Sequence, residues 1–147
     1  MRITIHCSDS DNPAHDDIVV IDSWHREPPR NWRKAGYHFF IRSNGDIQDY
    51  VSNPDEARRL TPFEQGAHVK GHNEDNIGIC LHGKTEFTEA QFRSLRVLVR
   101  RLQFEYNIDK QDIRPHNFYD KGKTCPNFDV DEVLWGWITK LNNIYNI

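Results

Sequence analysis

The sequence predicts a single α/β domain in which helices pack on a central mixed β-sheet. Three observations carry that reading. Ile3-Thr4-Ile5-His6-Cys7 alternates apolar with small or polar residues, the period of a strand. Asn44-Gly45 lies between two apolar runs, the strongest short hairpin signal. Thr88-Glu89-Ala90-Gln91 fits a capping box and opens a run of apolar residues at steps of three and four.

In chain order, the first strand ends near His6, just before the turn-like Ser8-Asp9-Ser10-Asp11-Asn12-Pro13. Residues 16–26 hold Ile18, Ile21 and Trp24 at helical spacing but also the β-branched run Val19-Val20-Ile21; the spacing predicts a helix. Tyr37–Arg42 and Ile47–Val51 form the hairpin around Ser43–Asp46. Residues 52–75 contain Gly and Pro breaks and predict a long surface loop with a short helical turn. Residues 76–82 read as a buried strand. In the helix that follows, Phe92, Leu95, Leu98, Val99, Leu102 and Tyr106 mark the packed face, and Arg93, Arg96, Arg100 and Arg101 are mainly its solvated face. Ile113-Arg114-Pro115 predicts a short strand ending at His116, followed by a loop to Lys123-Thr124-Cys125-Pro126. A last helix starts near Asp129, with Glu132 three positions on, and carries Val133, Leu134, Trp137, Ile138 and Leu141.

The chain has 147 residues, a size that suits one domain spanning 1–147 with a core that needs no disulfide staples. A net charge of -3 gives no broad basic field, which argues against nucleic acid as a partner. No window approaches the ~20 apolar residues of a membrane span, so no membrane insertion is expected. The N-terminus has no apolar stretch resembling a signal peptide, which predicts a cytoplasmic protein. Three cysteines, Cys7, Cys80 and Cys125, argue against a closed disulfide framework and for a reducing compartment or a metal role.

The chemistry-bearing residues are few. His6 and His116 both follow strand-like segments, and the ends of adjacent strands bring distant residues together. Cys125 lies nine residues after His116, before a proline. Two His and one Cys would give zinc three protein ligands and an open fourth position for water, the catalytic pattern. Position alone also accommodates three unrelated residues, and no CxxC or HExxH motif adds to it. His68 and His72 are four apart, but Gly66 and Gly71 oppose a helix there. Cys80 reads as a core thiol, and Cys7 points away from whichever face His6 presents.

In order, Ile5-His6-Cys7-Ser8, Trp24-His25, Gly36-Tyr37-His38-Phe39, Asn44-Gly45, Gly66-Ala67-His68, Asn76-Ile77-Gly78-Ile79-Cys80-Leu81, His116 and Lys123-Thr124-Cys125-Pro126-Asn127-Phe128-Asp129 cover nearly the whole chain. This series resembles the zinc N-acetylmuramoyl-L-alanine amidases, which include phage amidase-type lysozymes and the peptidoglycan recognition proteins. The resemblance implies their fold, a central mixed sheet flanked by helices. It implies a Zn2+ cofactor held by His6, His116 and Cys125, and Tyr37 and Lys123 as catalytic residues. It places His68 on the wall of the substrate groove and implies that Trp24 also binds substrate. The resemblance implies peptidoglycan as the partner, and a monomer is expected. Asn127 departs from the small residue often found after Cys-Pro, and His116–Lys123 is unlike other versions of that loop. Retention of Cys125 and Lys123 favours an endolysin-like enzyme over a recognition module that binds without cutting. A further role regulating a cytosolic partner has no residue in its support.

Overall fold

A computed structural model of the chain describes residues 1–30, 36–49 and 65–136. Among the described residues, five strands form one sheet. They are β1 (Arg2–Cys7), β2 (Phe39–Ile41), β3 (Ile47–Gln48), β4 (Asn76–Leu81) and β5 (Ile113–Pro115), in the order β3-β2-β4-β1-β5. β1 runs parallel to both β4 and β5, and β2 runs parallel to β4. β3 alone is antiparallel, returning from β2 through the Asn44-Gly45 turn, where Gly45 adopts φ +92. The sheet is therefore mixed, as the hairpin and separated strands predict.

Alternation along the strands splits the core into two faces. Ile3, Ile5, Ile77, Ile79 and Leu81 meet Leu95, Leu98, Val99 and Leu102 of helix α2 (Glu89–Tyr106). On the other face Phe40 and Cys80 meet Ile18 and Ile21 of helix α1 (Ile18–Arg26). Parallel strands need cover on both faces, and the two helices supply it. The ambiguous segment at 16–26 is thus helical: Asp17 caps it by accepting from the Val19 N–H at 2.9 Å, and its apolar stripe outweighs the β-branched run.

The Thr88 capping box is complete, with Thr88 Oγ1 accepting from the Gln91 N–H at 3.1 Å and Gln91 Oε1 from the Thr88 N–H at 2.9 Å. Gln91 is buried because its amide also donates to the carbonyls of His82 (2.8 Å) and Ile41 (3.3 Å), locking the helix start to the carboxyl ends of β4 and β2. The solvated arginine face holds for Arg93 and Arg100, whereas Arg96 reaches back to the Val133 carbonyl at 2.8 Å. The segment after β5 differs from the expected loop. His116–Tyr119 makes one helical turn, α3, closed by the Asp120 N–H on the His116 carbonyl at 3.2 Å. The last helix begins at residue 130, with Asp129 accepting from the Glu132 N–H at 3.1 Å. Tyr50, Val51, most of the 52–75 loop, and Trp137, Ile138 and Leu141 lie outside the described residues.

Candidate active site

The parallel strands deliver their ends to one edge of the sheet, where open α/β sheets commonly bind ligands. His6 is the penultimate residue of β1 and is buried. Ile5 pairs with Pro115, so His116 emerges from β5 beside it, and the two imidazole rings lie 4.6 Å apart. Cys125 arrives on a loop that α3 pins in place. The Asn117 N–H donates to the Cys125 carbonyl at 3.0 Å, and the Asn117 amide to the Thr124 carbonyl at 3.3 Å. Asn127 takes φ +67 and donates to the Lys84 carbonyl at 2.9 Å, so its amide does a job a smaller residue would leave undone.

The ligand atoms of His6, His116 and Cys125 lie within 4.8 Å of one another, and Cys125 Sγ is 3.9 Å from His6 Nδ1. Zinc–sulfur and zinc–nitrogen bonds of 2.0–2.3 Å at tetrahedral angles would set such atoms about 3.5 Å apart. The Cys125–His6 pair stands near that spacing, and the set as a whole would contract around a bound ion. Burial holds the His6 and His116 imidazoles below their ordinary pKa, leaving them neutral and able to ligate. The neighbouring Cys7 thiol and burial push Cys125 up; a cation at the cluster would reverse that and favour thiolate. The Cys7 N–H already donates to Cys125 Sγ at 3.2 Å.

Tyr37 packs its ring 4.9 Å from His6 and 5.3 Å from His25. Burial, then the nearby thiols of Cys80, Cys125 and Cys7, raise its phenol well above the ordinary value, so it is a hydrogen-bond donor at neutral pH. Trp24, His25, Tyr37, His116, Lys123 and Cys125 line one cavity of about 370 Å³. A second, of about 520 Å³, lies between the 67–73 segment and Asp120. His116 and Lys123 border both, so the candidate metal cluster sits where two hollows meet.

Residues 2–128 match the family described as N-acetylmuramoyl-L-alanine amidase. The chain belongs to that family. An endolysin of Klebsiella phage KP32 is 30% identical over 141 residues, covering 88% of this chain and 82% of its own. The solved structure of the endolysin N-acetylmuramoyl-L-alanine amidase LysCS from Clostridium intestinale is 30% identical, with TM-score 0.70, covering 95% of this chain and 82% of that one. The fold is shared more widely. Drosophila peptidoglycan recognition protein SD superposes with TM-score 0.67 at 16% identity, over 95% of this chain and 79% of its own.

The amidase brings six of the seven sequence-derived site residues to one place: His6, His116, Cys125, Tyr37, Lys123 and Trp24. His68 has a different setting. It is buried behind His6, with Nδ1 2.9 Å from His6 Nε2 and Nε2 2.8 Å from the Asn76 carbonyl oxygen. Both ring nitrogens are committed inside the protein, and part of the residue borders the second hollow. His72, the other half of the rejected pair, is exposed and packs against Tyr119.

Two residues escape the sequence reading. His25 lines the first cavity, accepts the Gly36 N–H at 3.2 Å, and lies so close that a Cβ on Gly36 would come within 2.7 Å of its ring. Burial lowers its pKa to about 4. The signal was present, since Ile18, Ile21 and His25 share one helical stripe. Cys7 was expected to face away, yet it borders the cavity and its backbone bonds Cys125. The thiol itself also lies on this side, beside Cys125 and 3.7 Å from the Asn127 amide, because Cys7 is the last residue of β1, where the alternation ends.

Proposed function

We propose that this amidase hydrolyses the amide between N-acetylmuramic acid and L-alanine in peptidoglycan, using a zinc ion held by His6, His116 and Cys125, as an endolysin in host cell lysis. The observation that carries this reading is the meeting of a two-imidazole, one-thiol donor set with Tyr37 and Lys123 at the junction of two hollows. When bound, zinc supplies the Lewis acid that polarises the scissile carbonyl and activates water. The chain's own groups do the rest. The Tyr37 phenol, kept protonated by burial, donates a hydrogen bond to the oxygen that gains charge. The Lys123 ammonium, exposed at the boundary of the two hollows, offsets that charge. Trp24 in one hollow and the 67–73 segment in the other give the substrate its walls.

All these groups come from one chain, and our reading is a monomer with one catalytic domain across 1–147. No helix among the described residues is long and apolar enough to cross a membrane. We place the enzyme in the host cytoplasm until the membrane is permeabilised. Chelation is expected to abolish turbidity loss of permeabilised cells, and a stoichiometric return of zinc to restore it. Full activity in thoroughly demetallated protein would rule the mechanism out.

A further inference from the structure

We propose that His68 is a positioning residue that fixes the tautomer of His6 and aims its Nδ1 lone pair at the metal. This rests on the zinc reading above. The Asn76 carbonyl oxygen can only accept a hydrogen bond. His68 Nε2 lies 2.8 Å from it and therefore carries the proton. A neutral imidazole has one ring proton, so His68 Nδ1 is an acceptor. His6 Nε2, 2.9 Å away, must then be the donor. That leaves His6 Nδ1 unprotonated, and it is the Nδ1 atom that faces Cys125 Sγ at 3.9 Å. With the opposite tautomer, His6 would present a proton to the metal instead of an electron pair.

The surrounding structure is shaped around this relay. The His68 ring lies against Gly78 in β4, where an added Cβ would sit 2.8 Å from the ring's Cγ and 2.9 Å from Nδ1. Asn73 Oδ1 accepts from the His68 and Val69 N–H groups at 2.8 and 2.7 Å, fixing the backbone that carries the ring. Asn76, whose carbonyl anchors the relay, accepts from Thr4 Oγ1 at 2.8 Å and donates to the His72 carbonyl at 2.8 Å. Thr4 is two residues before His6 on the same face of β1, so both ends of the relay are tied to the sheet. Partners of this kind orient a ligating imidazole, and their loss typically weakens metal binding about 10–100-fold.

The test is zinc affinity of the full chain, measured by competition with a chromogenic chelator. The variants are His68→Ala, His68→Phe and His68→Gln. Phe keeps the ring's bulk without either hydrogen bond, so folding, followed by circular dichroism, is separated from the relay. Gln offers one acceptor and one donor on the same group. Wild type is expected to bind one zinc, with affinity falling about 10–100-fold in the Ala and Phe variants and largely recovering in Gln. In the metal-free protein, proton–nitrogen correlation NMR should find His6 as the Nε2–H tautomer in wild type and a mixture in His68→Phe. A folded His68→Phe protein with wild-type zinc affinity would overturn the proposal. So would a pure rise in KM at unchanged zinc affinity, the result of direct substrate contact. Wild type that binds no zinc would remove the underlying reading, and this one with it.

Discussion

Cys125→Ala is expected to lose its zinc and nearly all hydrolysis while keeping its fold. Cys125 contributes one of three donors, and two imidazoles alone leave the ion weakly held. Losing a Lewis acid worth several kcal/mol of transition-state stabilisation corresponds to about 10³-fold or more in rate. The fold should survive because the core lies elsewhere. Leu95, Leu98 and Leu102 pack on β1 and β4 on the far face of the sheet, and fully burying each such side chain stabilises by about 1.5–3 kcal/mol. Cys125 is half-buried on a loop held by backbone bonds from Asn117, which the substitution leaves in place. Zinc per chain by elemental analysis, with melting compared against chelated wild type, checks this. Equal zinc in both proteins would remove Cys125 from the ligand set.

Tyr37→Phe and Lys123→Ala should do the reverse: zinc retained, turnover lost. A preorganised donor aimed at a developing oxyanion is worth about 10²–10³ in kcat, or ~2.7–4 kcal/mol. Tyr37→Phe keeps the ring that packs against His6 and His25 and removes only the hydroxyl. Lys123 is exposed, so truncation leaves no cavity. Both losses should fall on kcat rather than KM, because the interactions strengthen as charge develops. A Lys123→Ala enzyme with near wild-type kcat would make that residue an ordinary surface lysine.

Much of the fold was legible because its signals are local. The Thr88–Gln91 capping box, the Asn44-Gly45 turn and the alternation of β1 each depend on a few adjacent residues. The α3 turn was not, because it is set by backbone bonds between the 116–120 and 123–125 segments, which leave no periodicity in a six-residue loop. The donor set was half legible. Strand ends pointed to His6 and His116, but only the register of β1 with β5 makes them neighbours. His68 shows the limit most plainly. Its place beside the groove follows from the motif, whereas its hydrogen bonds to His6 and Asn76 join residues 62 and 8 positions away. Such pairings exist only once β1 and β4 are side by side.

The most direct test of the central claim asks which bond is cut. A glycosidase generally needs two carboxylates about 5–9.5 Å apart, one kept protonated. Among the described acids, Asp9 and Asp120 each border one of the two hollows, whereas four others are engaged away from them. Asp11 accepts the N–H groups of Lys84, Thr85 and Glu86, which hold its carboxyl well below the usual range. Asp129 caps the last helix, Asp46 closes the Asn44 turn, and Glu89 pairs with Arg96. Digestion of purified peptidoglycan should therefore release stem peptides with free L-alanine amino ends, detected by dinitrophenylation, while reducing sugar stays at background. A rise in reducing ends without new alanine N-termini would contradict the account, even in a protein that binds zinc as proposed.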